Sequence, residues 1–173
     1  MSTFDKAFEY TVLNEGGYGN DPDDSGGPTN YGISQAFLDA HLHDPICCVK
    51  AKDLTREGAK AIYQKYFWKL IHLDKLTDPT LAIKVFDFGV NAGANTGILL
   101  LQRAFNDIYP SKEIKEDGLM GPKTIDAVNT GDAAKILNAF INQAIRYYKK
   151  VTVTYPIKAK YLNGWMKRAR RMP

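Results

Sequence analysis

Cysteine is nearly absent from the 173 residues, and the two that occur, Cys47 and Cys48, are neighbours. A bridge between adjacent residues closes almost no loop, so disulfides are not expected to hold this chain together. Paired CxxC motifs are missing, and His41 and His43 add only a loose HxHxxxCC cluster. A plain loop is the expected reading there, with no metal and no cofactor. Nor does any run approach the roughly 18 apolar residues of a membrane span. The N-terminus MSTFDKAFEY lacks the apolar core of a signal peptide. Synthesis as a soluble cytosolic protein is therefore expected, with delivery by something else if the target lies beyond the cytoplasm. Repeats, low-complexity tracts and flexible linkers are also missing, and strand signals are few.

What remains is an ordinary globular composition, 45% hydrophobic and 24% charged, in a length that suits one compact domain or a domain with a small appendage. The net charge of +4 is modest but uneven. MKRARRM, ending at Met172, carries four positive charges and no negative one. A solvated helix face is the default account; contact with an anionic wall, membrane or nucleic acid is the other. A short basic run without a recognised motif argues against nucleic acid.

The organisation is helical. Phe4, Ala7, Phe8 and Val12 recur at helical spacing from about Ser2 to Glu15, and Gly16-Gly17 stops the run. Ser34 can cap SQAFLDAHL, and Thr55 can cap REGAKAIYQKYFWKLI, whose apolar face includes Ala59, Ile62, Tyr63, Tyr66 and Leu70. Asp78-Pro79 opens LAIKVFDFGVNAG, and Asn95 starts NTGILLLQRAFNDIY. A short helix covers Thr124 to Asn129. Asp132 caps a long one to about Lys150, with Ile136, Leu137, Phe140, Ile141, Ala144, Ile145 and Tyr148 inward. VTVTYP at 151–156 reads as a connector, and a last helix carries Ile157, Tyr161, Leu162, Trp165 and Ala169. A small hairpin fits within 18–33. The fold class is all-α with at most a small β-hairpin.

Chemistry concentrates in residues 15–34, EGGYGNDPDDSGGPTNYGIS. Glu15 lies within about 20° of both Phe8 and Phe4 on the helical wheel, so its carboxyl belongs to the apolar face at a helix C-terminus. Desolvation and the negative end of the helix dipole both disfavour the charged form there. A carboxyl kept protonated near neutral pH is what a general acid requires. The bland reading is a frayed helix end that turns Glu15 into water. Asp21, Asp23 and Asp24 follow in a segment rich in turn residues, and turn chemistry explains some of them. A second carboxylate in a cleft could instead orient water or stabilise positive charge on a sugar ring, the pair of roles in glycoside hydrolysis. Thr29 adds a hydroxyl able to hold water, though a turn threonine is equally ordinary.

The same stretch resembles the signature of the muramidases of glycoside hydrolase family 108, EGGY-x-N-x-P-x-D-x-GG-x-T-x-x-G-I-[ST]. Every fixed position is filled, by Glu15, Gly16, Gly17, Tyr18, Asn20, Pro22, Asp24, Gly26, Gly27, Thr29, Gly32, Ile33 and Ser34. The resemblance implies that Glu15 is the catalytic glutamate. Phage-type lysozymes, more distantly similar, place an Asp after eight intervening residues and a Thr after four more; Asp24 and Thr29 keep those gaps. VFDFGVNAG at 85–93 followed by LLLQRAFN, EDGLMGPKTIDAVN at 116–129 and the final NGWMKRA extend the likeness. It implies a lysozyme-like catalytic region over 1–93 and a peptidoglycan-binding-like helical region over 94–173. Peptidoglycan glycan strands are the implied partner, reached at the wall after release or export, with a monomeric chain.

Around that site, Tyr18, Tyr31, Tyr63 and Trp68 could stack on sugar faces, with Tyr63 expected inward and Tyr18 and Tyr31 the better platforms. Asn91 follows Asp87 by one turn on the same face. Asn91 is expected to bind substrate, and Asp87 to tie down a neighbouring helix end. Asp117-Gly118 most simply form a turn. Two functions compete. One is a muramidase, probing its substrate with Glu15, Asp24, Thr29, Tyr18, Tyr31 and Asn91. The other is a non-catalytic peptidoglycan-binding or secretion-accessory protein. Within enzymes, a lytic transglycosylase would also use a single acid.

Overall fold

The computed structural model describes residues 1–15, 17–19 and 27–173, apart from the side chains of 13–15. Helix α1 spans Thr3–Glu15, and a two-residue hairpin pairs β1 (Thr29–Asn30) with β2 (Ile33–Ser34). There follow α2 (Gln35–Ala40), α3 (Arg56–Ile62), α4 (Pro79–Ala92), α5 (Ala94–Ile108), α6 (Pro122–Thr130), α7 (Ala133–Thr154) and α8 (Leu162–Arg170). The capping residues act as their chemistry requires. Ser34, Thr55, Asp78 and Asp132 each accept a bond from an otherwise orphaned backbone N–H in the first turn.

Helix α4 is the centre of the molecule. All nine residues from Leu81 to Gly89 are buried, and α1, α5 and α7 pack around them. A helix apolar nearly all round has no solvent face to keep polar. Its crossing with α5 is close: a Cβ on Gly97 would stand 3.3 Å from the Val85 carbonyl oxygen and 3.5 Å from Gly89. On one side of α4, Phe4, Phe8, Tyr63, Trp68 and Phe86 form a cluster of aromatic rings, with Phe4, Tyr63 and Trp68 each meeting Phe86 edge-on. On the other, Phe88 meets Phe140, Tyr147 and Tyr148.

Three expectations from periodicity fail for identifiable reasons. After Ile62 the chain widens into a π-helical segment, Tyr63–Lys69, closed by a bond from Leu70 N–H to the Lys65 carbonyl. The wider turn shifts the helical phase, so Leu70 faces solvent while Trp68 and Ile71 are buried. Val151–Thr154 is the last turn of α7, not a connector. β-branched residues cost only a few tenths of a kcal/mol each in a helix, and packing of α7 along α5 outweighs that. Pro156 ends the run. Because Pro156–Tyr161 is a 3₁₀ turn, α-helical phase begins only at Leu162, leaving Ile157 and Tyr161 exposed.

The basic C-terminus is only partly a solvated face. Arg168 donates from Nε and Nη2 to the two carboxylate oxygens of Asp87, at 3.0 and 2.9 Å, and from Nη2 to the Asp87 carbonyl. Arg171 lies over the Tyr10 ring and donates to the Tyr10 carbonyl, while the Tyr10 hydroxyl donates to the Arg171 carbonyl. Lys84, buried within α4, donates to the carbonyls of Arg168 and Arg171 at 3.0 and 2.8 Å. This fixes the end of α8 to α1 and α4. Asp87 therefore ties down a neighbouring helix end, as its position on α4 suggested.

Burial pushes Lys84 down to about 8 from 10.5, Arg168 and Arg171 add to that, and Asp87 opposes it. Between about pH 8 and 10 the unfolded chain therefore binds more protons at this lysine, and stability from Lys84 rises with pH. Tyr10 contributes the opposite sign above 10, because burial, then Asp87, raises its hydroxyl. Urea unfolding of the protein and of Lys84→Met should diverge from pH 8 to 10. The native chain should gain up to about 1.4 kcal/mol per pH unit relative to the variant; parallel profiles would refute the assignment.

Candidate active site and wall-binding region

The hairpin holds Thr29 in place from both sides. Residues Tyr31 and Gly32 form its two-residue turn, both at positive φ (50° and 77°), the conformation that suits the twist of a tight hairpin. Such a backbone is unfavourable for tyrosine, and two anchors hold it. The Tyr63 hydroxyl donates to the Tyr31 carbonyl at 2.7 Å. Buried Asn30 donates from Nδ2 to the carbonyls of Ala51 and Leu54. Thr29 and Gly19 exchange both backbone bonds at 2.8 Å, so Thr29 is fastened to a residue four positions beyond Glu15. Four residues of chain span at most about 14 Å.

Helix α1 runs unbroken to Glu15. The Glu15 side chain and Asp24 lie outside the described residues, as do Asp21 and Asp23. Tyr18 is 52% exposed, and Tyr31 is half-buried beside the core. Tyr63 is buried as expected. Trp68 is buried too, packed on Phe4 and Phe86, so it is core and not a sugar platform. Asn91 stands exposed at the end of α4, where its Oδ1 accepts from the Tyr148 hydroxyl at 2.9 Å. That bond joins it to α7.

The second half has its own polar centre, Gln102. Fully buried on α5, it accepts at Oε1 from the N–H groups of Asp117 and Gly118. From Nε2 it donates to Asp117 Oδ1, the Leu119 carbonyl and Thr124 Oγ1. One side chain thereby folds the EDGLMGP segment against α5. Gly118 is required there: its φ is +70°, and a Cβ would sit 2.9 Å from the Asn95 carbonyl oxygen. The bond from Gln102 is the largest cause holding the Asp117 carboxyl below its usual range. Periodicity held the clue, since Ile98, Leu101, Gln102 and Phe105 share one face and glutamine is the polar exception among them.

Around Cys47 and Cys48, the His41 ring nitrogen Nδ1 pairs with the Phe37 carbonyl, and Cys47 is fully buried, which pushes its thiol up. Among the described residues no three His, Cys, Asp or Glu side chains are grouped to hold a metal ion. No described helix is long and apolar enough to cross a membrane.

Comparison with known proteins gives each half of the chain a match. Residues 8–93 match the family model described as glycosyl hydrolase 108, and residues 96–170 match one described as a predicted peptidoglycan domain. The solved structure of Brucella abortus SagA is similar, with 28% identity and a TM-score of 0.79 over 96% of this chain and 89% of that chain. The chain belongs to the glycosyl hydrolase 108 family. No curated protein matches it. As a glycosyl hydrolase 108 protein with a peptidoglycan domain, it is a peptidoglycan hydrolase, a glycosidase that acts on the cell wall. Its all-α architecture with a minimal hairpin is the lysozyme-like fold that the signature implied. The hairpin anchors Asn30 and Tyr63 belong to the hydrolase match, and Gln102 to the peptidoglycan match. Sequence reading missed Asn30, whose carbonyl partners lie more than twenty residues further along the chain, and Gln102, whose one mark is the polar break it makes in the apolar face of α5.

Proposed function

We propose that the chain is an N-acetylmuramidase, cleaving the β-1,4 bond between N-acetylmuramic acid and N-acetylglucosamine, and that it serves as a phage endolysin in host lysis. The observation that carries the catalytic reading is the joining of Thr29 to Gly19, a short chain path from Glu15 at the end of α1. In this reading Glu15 protonates the glycosidic oxygen as its bond to the muramic acid C1 breaks. Asp24, with Thr29, orients water onto that carbon or stabilises its oxocarbenium-like charge. Tyr18, Tyr31 and Asn91 bind substrate. Residues 1–93 act as the catalytic region and 94–173 as the wall-binding region. The spacing of Asp24 and Thr29 from Glu15, which phage-type lysozymes share, supports the lysis role.

Mass spectrometry of digested peptidoglycan tests the reaction. Reducing muramic acid ends are the expected product. An anhydro sugar would make the protein a lytic transglycosylase, and no product would make it a binding protein. The choice of Asp24 has its own test, because Asp24→Asn should lower turnover more than Asp21→Asn or Asp23→Asn. Equal effects of the three would remove Asp24 from its role.

A further inference from the structure

Charge is divided sharply along this chain. Residues 133–173 contain ten Lys and Arg and no acid, whereas 1–132 hold 19 acids against 13 Lys and Arg. Within the basic part, α7 passes into the Pro156–Tyr161 turn on an exposed corner. All nine residues from Val153 to Tyr161 are exposed there. Val153 and Ile157 are each 80% exposed, although both are aliphatic, and Tyr155 is 56% exposed. We propose that this corner docks on an anionic phospholipid membrane. Val153, Tyr155 and Ile157 enter the boundary between headgroups and acyl chains, and Lys149, Lys150 and Lys158 meet the lipid phosphates. Such a surface holds a wall hydrolase at the membrane beside its substrate, whichever glycosidic bond it cuts.

Cationic and apolar groups stand together at this corner, and a bilayer takes both. Lys150, Thr154 and Tyr155 line one groove between α5 and α7, so a lysine and an aromatic ring are neighbours. The Lys158 ammonium lies 5.4 Å from the centre of the Tyr155 ring, which keeps a second charge at the same place. Other cations of the basic part are spoken for: Lys135, Arg146 and Arg168 face Asp132, Asp107 and Asp87. Lys160 has a partner of its own and also lies over the Tyr161 ring. Among the described residues, Lys149, Lys150 and Lys158 meet no carboxylate. Each basic residue near an anionic membrane strengthens binding about fivefold. Binding also rises with the apolar area buried at the interface. A hydrated polyanion, whether nucleic acid or a wall phosphate polymer, satisfies the lysines but leaves Val153 and Ile157 in water. An isologous pair of chains joined through this corner sets lysines against lysines. No described helix is long and apolar enough to span a bilayer, so the contact is peripheral.

Flotation of the full-length protein with lipid vesicles tests this. Vesicles of equal parts phosphatidylglycerol and phosphatidylcholine should bind it about tenfold or more tighter than phosphatidylcholine alone, and less so in high salt. Lys149→Glu with Lys150→Glu should lower binding to the anionic vesicles about tenfold or more. Val153→Ser with Ile157→Ser should lower it about tenfold while keeping the salt dependence. These side chains are exposed, so both double variants should melt as the native protein does. Tyr155→Trp should add a blue shift of emission on anionic vesicles beyond any shown by the native protein. Equal binding to both kinds of vesicle, or native binding by both double variants, would overturn the proposal. So would a loss confined to the lysine variant, since nothing then enters the bilayer. Variants that still bind vesicles but no longer bind purified peptidoglycan would overturn it too, making the corner a wall contact. A native oligomer that Val153→Ser with Ile157→Ser disperses in sedimentation would make it an interface between copies instead. None of these readouts involves turnover, so they stand or fall apart from the Glu15 assignment.

Discussion

Glu15→Gln should reduce peptidoglycan turnover by about 10²–10⁴-fold, the usual contribution of a general acid, with helical circular dichroism and melting nearly unchanged. The amide keeps the shape and the hydrogen-bonding reach of the carboxyl and lacks only the proton that the leaving oxygen must receive. Fold and function separate here because the helix is held elsewhere. Phe4, Ala7, Phe8 and Thr11 of α1 are buried, and Tyr10 is bonded to Arg171, all upstream of the acid. Clearing of purified peptidoglycan, read as loss of turbidity, measures the effect. Near-wild-type clearing would remove Glu15 from the role of acid, whatever the product of the native protein. The same clearing assay with the Asp24 variant should then show the smaller loss, since a group that orients water or stabilises charge is less directly involved than the proton donor.

The legibility of this protein differs by the kind of interaction. Helix caps could be read directly, because Ser34, Thr55, Asp78 and Asp132 each act on the N–H group three residues on. The site signature could be read too, since EGGY and its spacing lie in one ungapped run. What could not be read were consequences of tertiary partners. The π turn at Tyr63–Lys69 changes phase without any glycine or proline to announce it. Val151–Thr154 has the alternation of a strand and becomes helix because α5 lies alongside. Asn30 and Gln102 serve backbone groups more than ten residues away in sequence. The basic tail was ambiguous for the same reason: Asp87, the partner that buries Arg168, is 81 residues distant.

That last contact carries the largest expected change in stability. Arg168→Ala should cost about 3–5 kcal/mol, the range for breaking a buried ion pair from one side. Arg168 is 10% exposed and Asp87 only 2%, and the bidentate geometry satisfies both carboxylate oxygens. Removing the guanidinium leaves that carboxylate buried beside Lys84, which is itself held by carbonyls of the same tail. The double variant Arg168→Ala, Asp87→Asn should lose less than the sum of its single changes, because one buried charge no longer faces an empty place. Truncation before Arg168 should be worse than Arg168→Ala, as Lys84 and Tyr10 lose their carbonyl partners as well. Urea unfolding at low and at 1 M salt decides between this packing role and a solvated tail that only contacts the wall. Screening acts strongly on exposed charges and weakly on buried ones. A loss that persists at high salt belongs to the Asp87–Arg168 pair, whereas a cost below about 0.5 kcal/mol, the usual range for surface substitutions, would return the tail to the surface.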